Sequence, residues 1–153
     1  MELARLFKPL MELEYQMHRM YMWFSDMFQE DPKAFSLFRL MAREELQHRE
    51  SVQNQFYLVV DRSNEYQEIQ ADIDGMTYLT NILKKQVDRR NSMTLQEALT
   101  TALQFEKSAA ESHYRYIIAR SNPILKEMIQ ELAKADQQHV QRLEQFAKSS
   151  FKA

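Results

Sequence analysis

The segment Ala42-Arg43-Glu44-Glu45-Leu46-Gln47-His48-Arg49-Glu50 sets an acid and an imidazole three residues apart, at Glu45 and His48. The same order and spacing return at Asp136 and His139. Residues three apart are neighbours on one face of a helix, so each pair can offer a carboxylate oxygen and a ring nitrogen to one point. On a wet face such a pair is a solvated or salt-bridged surface feature. On a dry face the two polar groups need a partner, and a cation is the partner that suits both.

The neighbours of each pair say that the face is dry. At about 100° per residue, Phe38 and Val52 lie within about 20° of Glu45, and His48 lies about 60° away on the same side. Three other segments repeat the intrusion. Phe7 and Tyr21 stand seven residues either side of Glu14, Leu99 and His113 either side of Glu106, and Ile129 and Leu143 either side of Asp136. All four histidines of the chain (His18, His48, His113 and His139) fall on inward faces. One buried histidine is usually a satisfied core residue. Four acids on four apolar stripes are a different matter. Each unpaired buried carboxylate costs several kcal/mol, and four together would exceed a domain's margin of about 5–15 kcal/mol.

The chain contains no Cys, which excludes disulfides, zinc ribbons, thiolate-held iron–sulfur clusters and thiol nucleophiles. A metal must therefore be held by carboxylates and imidazoles. Four carboxylates neutralise two divalent cations, and two imidazoles add a nitrogen for each. Hard oxygen donors with two nitrogens suit iron or manganese. One Glu from each of two helices, with Glu-x-x-His from each of the other two, is the ligand set of di-iron and di-manganese carboxylate bundles.

Four long helices must position these groups. Apolar residues at three- and four-residue spacing predict helices over about 3–30, 32–60, 94–121 and 123–148. Pro9 sits early in the first, which begins or bends there. Asp31-Pro32 and Asn122-Pro123 read as cap-and-proline starts, and Thr94-Leu95-Gln96-Glu97 reads as a capping box. Tight joins make helices 1 and 2, and then helices 3 and 4, antiparallel hairpins. The midpoint between Glu14 and Glu45 falls within two residues of Asp31-Pro32, and that between Glu106 and Asp136 one residue before Asn122. Within each hairpin the two acids therefore lie side by side. Residues 61–93 hold the only Gly, Gly75, and a shorter amphipathic piece with Leu79, Ile82, Leu83 and Val87. The fold class is all-α: a four-helix bundle of two antiparallel hairpins, with a long crossover between helices 2 and 3 that contains a short extra helix. One domain spans residues 1–153.

Composition agrees and excludes other classes. One Gly and three Pro in 153 residues point away from a β or loop-rich protein. A net charge of -2 marks no nucleic-acid or anionic-membrane binder. No apolar run is long enough to span a bilayer, and the N-terminal Glu2, Arg5 and Lys8 do not read as a signal peptide, so a cytoplasmic location is expected.

The segments MELEYQMHRMY, AREELQHRE, ALQFEKSAAESHY and AKADQQHVQRLEQF resemble the ferritin-like superfamily, and most of all its rubrerythrin-type branch. The resemblance covers the whole bundle and implies a ferritin-like fold with Glu14, Glu45, His48, Glu106, Asp136 and His139 as metal ligands. It implies two iron ions, with manganese or zinc as alternatives, no catalytic side chain beyond the ligands, and peroxide or O2 as substrate. Glu45 and Glu106 are the expected bridging or chelating carboxylates. Three features depart from the pattern. Asp136 stands where the family has Glu, Ala109 stands where rubrerythrins carry a further Glu, and the Cys-rich rubredoxin-like domain is missing, so electrons must come from a separate donor protein.

Spacing adds Tyr21, His18 and His113 as residues able to hydrogen-bond a ligand carboxylate or gate access, with Tyr21 equally readable as ordinary core. A second row, Met20, Trp23 and Met27, reads either as packing against the crossover or as a subunit interface, and a homodimer is the expectation. The charged residues Arg39, Arg43, Glu44, Arg49 and Glu50 read as solvated surface. Rival functions are ferroxidase activity with iron storage in a many-subunit shell, a non-enzymatic helical binding module with a degenerate site, and an oxygenase acting on an organic substrate through an access channel.

Overall fold

The computed structural model describes residues 3–60, 71–116 and 123–151 and is all-helical apart from short turns and an isolated bridge residue at Ala71. Among the described residues five helices follow in order: α1 (Leu3–Met27), α2 (Pro32–Val60), α3 (Ile73–Arg89), α4 (Leu95–Tyr116) and α5 (Pro123–Ser150). The long helices α1, α2, α4 and α5 are the four expected from periodicity, and α3 is the short helix expected in the crossover. The first part of the crossover, 61–70, the residues 117–121 assigned to the third long helix, and the Asn122 cap lie outside the described residues.

Local chemistry sets the boundaries. Asp31 Oδ1 accepts from the Ala34 amide at 3.2 Å, so Asp31 caps α2 and Pro32 takes the first helical position, where no amide hydrogen is needed. Thr94 Oγ1 accepts from the Glu97 amide at 3.1 Å and caps α4. Asp72 caps α3 through the Gly75 amide at 2.9 Å. A Cβ on Gly75 would stand 2.5 Å from Asp72 Oδ2, so the only glycine of the chain leaves room for this cap. Arg90 closes α3 in the left-handed conformation (φ 49°), its amide bonding to Gln86 O. Pro9 neither starts nor ends α1; the helix begins six residues earlier and runs through it. Only one backbone bond is lost there, close to an end where several amides are unpaired in any case.

The hairpins pack as expected. α1 and α2 are held by aromatic contacts: Phe24 meets Phe38 edge-on at 5.4 Å, and Phe7 meets Phe56 at 5.5 Å. α4 and α5 bury Leu99, Ala102, Leu125, Ile129, Leu132 and Leu143. α3 lies along α1, with Arg19 and Asp88 paired across them at 2.9 Å. Met20 and Trp23 are buried within this one chain and Met27 is half-buried, which fits the packing account of their row.

Side-chain pairs across the hairpins give the helix directions. Tyr116 donates to the Leu6 carbonyl, His113 faces Glu14, and Tyr21 bonds to Glu106, so α1 and α4 run in opposite directions. His48 with His139 and Glu44 with Arg142 show the same for α2 and α5. Both α2 and α4 thus oppose α1 and run parallel to each other. Backbones of opposite hairpins approach closely at few points, and long polar side chains fill the layer between them. No helix among the described residues is long and apolar enough to cross a membrane.

Candidate metal centre

Each polar residue reaches this layer because it occupies a core position of its helix. Glu14, Glu45, Glu106, Asp136, His113 and His139 are all buried, and His48 retains 21% exposure. Their side chains form a row. His139 Nδ1 lies 3.1 Å from Glu106 Oε1 and 2.9 Å from Glu45 Oε1. The other Glu45 oxygen, Oε2, lies 3.4 Å from His48 Nδ1, which is also 3.5 Å from Glu14 Oε2. The other Glu14 oxygen, Oε1, lies 3.1 Å from His113 Nε2. His113 Nδ1 meets Asp136 Oδ2 at 2.6 Å. Glu45 and Glu14 therefore each turn one oxygen toward one imidazole and the second toward the next.

Three groups of donor atoms are close enough to share an ion: Glu14 with Glu45 and His48, Glu45 with Glu106 and His139, and Glu14 with His113 and Asp136. The first two bring together five of the six ligands the resemblance implies and share Glu45. Asp136 is placed otherwise: its carboxylate ends on His113 and falls in the third group, away from Glu106 and His139. The shorter side chain stops at the nearer partner on α4. His113, expected as a neighbour of the ligands, stands within a donor group.

Several close approaches lack the alignment of hydrogen bonds. Both Glu14 oxygens, Glu45 Oε1, Glu106 Oε2 and His113 Nε2 are fully buried with no hydrogen-bond partner among the described residues. Buried polar atoms are nearly always satisfied. Five orphans in one layer, all on carboxylates and an imidazole, match a donor set turned toward cations, so these residues fit a metal centre.

In the metal-free protein, protons and ion pairs compensate the same groups. Burial pushes the Glu14 carboxyl up, but His113 and His48 outweigh it and hold the group well below the usual carboxylate range. Burial, Glu106 and Glu14 drive Glu45 well above that range. Burial lifts Asp136 to about 7 against the opposing pull of His113. For the imidazoles burial favours neutrality, yet adjoining carboxylates raise His48 and His113 to about 10 and His139 to about 11. Cations in these positions would replace such protons.

The surroundings orient the row. Tyr21 donates to Glu106 Oε1 at 2.5 Å, and burial together with Glu106 and Glu45 holds its phenol protonated. Tyr21 is thus both core and a partner of the centre. Glu44, read from sequence as solvated surface, is instead 3.3 Å from His139 Nε2 and bonded to Arg142. It occupies the helix face next to that of Glu45, and α5 covers it. The only signal in the sequence is Arg142 three residues after His139, which is unremarkable alone. His18 takes no part in the three groups. It bonds to the Ala42 carbonyl at 2.7 Å and stacks on Tyr15, because four residues after Glu14 the helix has turned it toward the backbone of α2. Ala109 is buried and brings no further carboxylate.

Between α2 and α5 a cleft of about 550 Å³ is bordered by His48, Val52, Met128, Glu131 and Leu132. His48 is the point where the row meets this cleft. Comparisons with protein-family models, curated proteins and solved structures give no match to this chain.

Proposed function

We propose that this chain is a ferritin-like, carboxylate-bridged metal protein of the di-iron or di-manganese type that reduces peroxide or O2. The observation that carries the reading is the set of buried, unpartnered carboxylate oxygens on α1, α2 and α4 facing imidazoles from α2, α4 and α5. One ion would be held by Glu14, Glu45 and His48, and the second by Glu45, Glu106 and His139. Each position offers three protein residues as donors, which would leave room for an exogenous ligand. When bound, iron or manganese supplies the electrons for O–O cleavage.

The remaining work belongs to the protein. Glu45 ties the two positions together through its two oxygens. Glu44 accepts from the far nitrogen of His139 and fixes the tautomer that leaves Nδ1 free to ligate. Tyr21 holds Glu106 by donating its proton, and stays protonated because a phenolate there would sit among carboxylates. Among the donor residues of the row His48 is the one that retains exposure, at 21%, and it faces the cleft between α2 and α5. These residues include no Cys and so no thiolate redox group, and the reading takes the electrons that would return the metals to the reduced state from a donor outside the helical bundle.

The test is anaerobic titration of the ferrous protein with hydrogen peroxide, followed by stopped-flow absorbance. Oxidation much faster than that of free ferrous ion is expected; oxidation at the free-ion rate would reject the reading. One observation favours a second function, oxygenation of an organic substrate. The cleft beside His48 falls within the roughly 300–1,000 Å³ of small-molecule sites and far exceeds what peroxide needs.

A further inference from the structure

The third donor group is not needed for a two-metal centre, and the geometry at His113 asks for an explanation. Asp136 Oδ2 sits 2.6 Å from His113 Nδ1, so this nitrogen carries the hydrogen of the neutral ring. The lone pair then falls on Nε2, which faces Glu14 Oε1 at 3.1 Å with no hydrogen bond between them. Two electron-rich atoms do not rest at that distance in a dry core unless a positive charge lies with them: in the metal-free protein the proton that the adjoining carboxylates hold on His113, and with metal bound a cation in its place. A carboxylate holding the far nitrogen of a ligating histidine is the usual support of a metal-bound imidazole. Glu14 meanwhile commits only Oε2 to the His48 position, leaving Oε1 for this one.

We propose that His113 Nε2 and Glu14 Oε1 hold a third divalent cation beside the dinuclear pair, with Asp136 orienting the imidazole from behind. Glu14 would then link the first position, at His48, to the third, as Glu45 links the first to the second. The four carboxylates balance two divalent cations, so the third ion would bring two negative charges with it, as two hydroxides or one dianion. The shortened side chain at Asp136 gains a role here: it supports a nitrogen ligand on α4. This inference rests on the metal-binding reading above.

The test uses full-length protein loaded anaerobically with Mn2+, crystallised, and mapped by anomalous scattering at the manganese edge. Three peaks are expected, one of them beside His113 Nε2. In His113→Gln that peak alone disappears while those beside His48 and His139 remain. Asp136→Asn, the milder change, leaves the peak but weakens the affinity of the third ion about 10- to 100-fold in solution titrations. Two peaks in the unmodified protein, or equal occupancy in His113→Gln, overturns the third position while leaving the dinuclear reading intact. No peak at all overturns both.

Discussion

At the scale of single residues, function and stability pull apart. Glu45 is fully buried, driven toward protonation by its acidic neighbours, and placed between two donor groups. Glu45→Leu should raise the melting temperature of the metal-free protein by about 3–6 °C, corresponding to about 1–2 kcal/mol, and abolish any stabilisation by added Mn2+. Differential scanning calorimetry with and without metal reads both. Glu44 acts through His139: Glu44→Ala should weaken metal binding about 10-fold in a chelator competition, and Glu44→Gln, which keeps an acceptor oxygen, should recover most of the loss.

The titrating groups set a pH dependence with a definite sign. His48, His113 and His139 rise from 6.5 to about 10, 10 and 11 in the metal-free fold. The folded state therefore holds their protons more tightly than the unfolded state. Their stabilisation is complete below about pH 6.5 and is lost as pH climbs toward 10. Asp136, raised from 3.8 to about 7, acts in the same direction at lower pH. Glu14, held low, has the opposite sign, but its contribution is lost only as pH falls below its ordinary value of 4.5. The melting temperature of the metal-free protein should fall between pH 6.5 and 9.5. Because cations displace these protons, Mn2+ should stabilise more as pH rises across the same range. A metal-free protein that gains stability over that range would contradict the assignment.

At the scale of elements, the packing that joins α1 to α2 also holds the centre. Phe38 is fully buried, contacts Phe24 and Phe28, and stacks on Tyr21 at 6.2 Å. Phe38→Ala should cost about 3–5 kcal/mol by denaturant unfolding. It should also weaken metal binding, since Tyr21 fixes Glu106. The helices themselves were legible because their signals are local: apolar spacing, the Asp31 and Thr94 caps, and Pro32 at a first helical position. The meeting of Glu14 with Glu45 was legible too, because a tight turn fixes which residues lie level. The meeting of Glu14 with His113 was not. It depends on how one hairpin slides against the other, which no turn between them sets. Glu44 escaped for a related reason: its face borders that of Glu45, and only the seat of α5 half-buries it against His139 and Arg142.

At the scale of the molecule, four carboxylates and three imidazoles in one layer concentrate charge at the place where the hairpins meet. Apolar packing elsewhere must offset the cost of gathering them in the metal-free state. Cations reverse that balance: ions at about 100 times their dissociation constants stabilise the fold by about 2.7 kcal/mol for each independent site. The most direct measurement of the central claim is elemental analysis of chelator-free protein, reconstituted anaerobically with ferrous or manganous ion and desalted. Two or more ions retained per chain, fewer in the Glu45→Leu variant, is the predicted result. A wild-type chain that leaves the column without metal, its melting temperature unchanged by either ion, would contradict it.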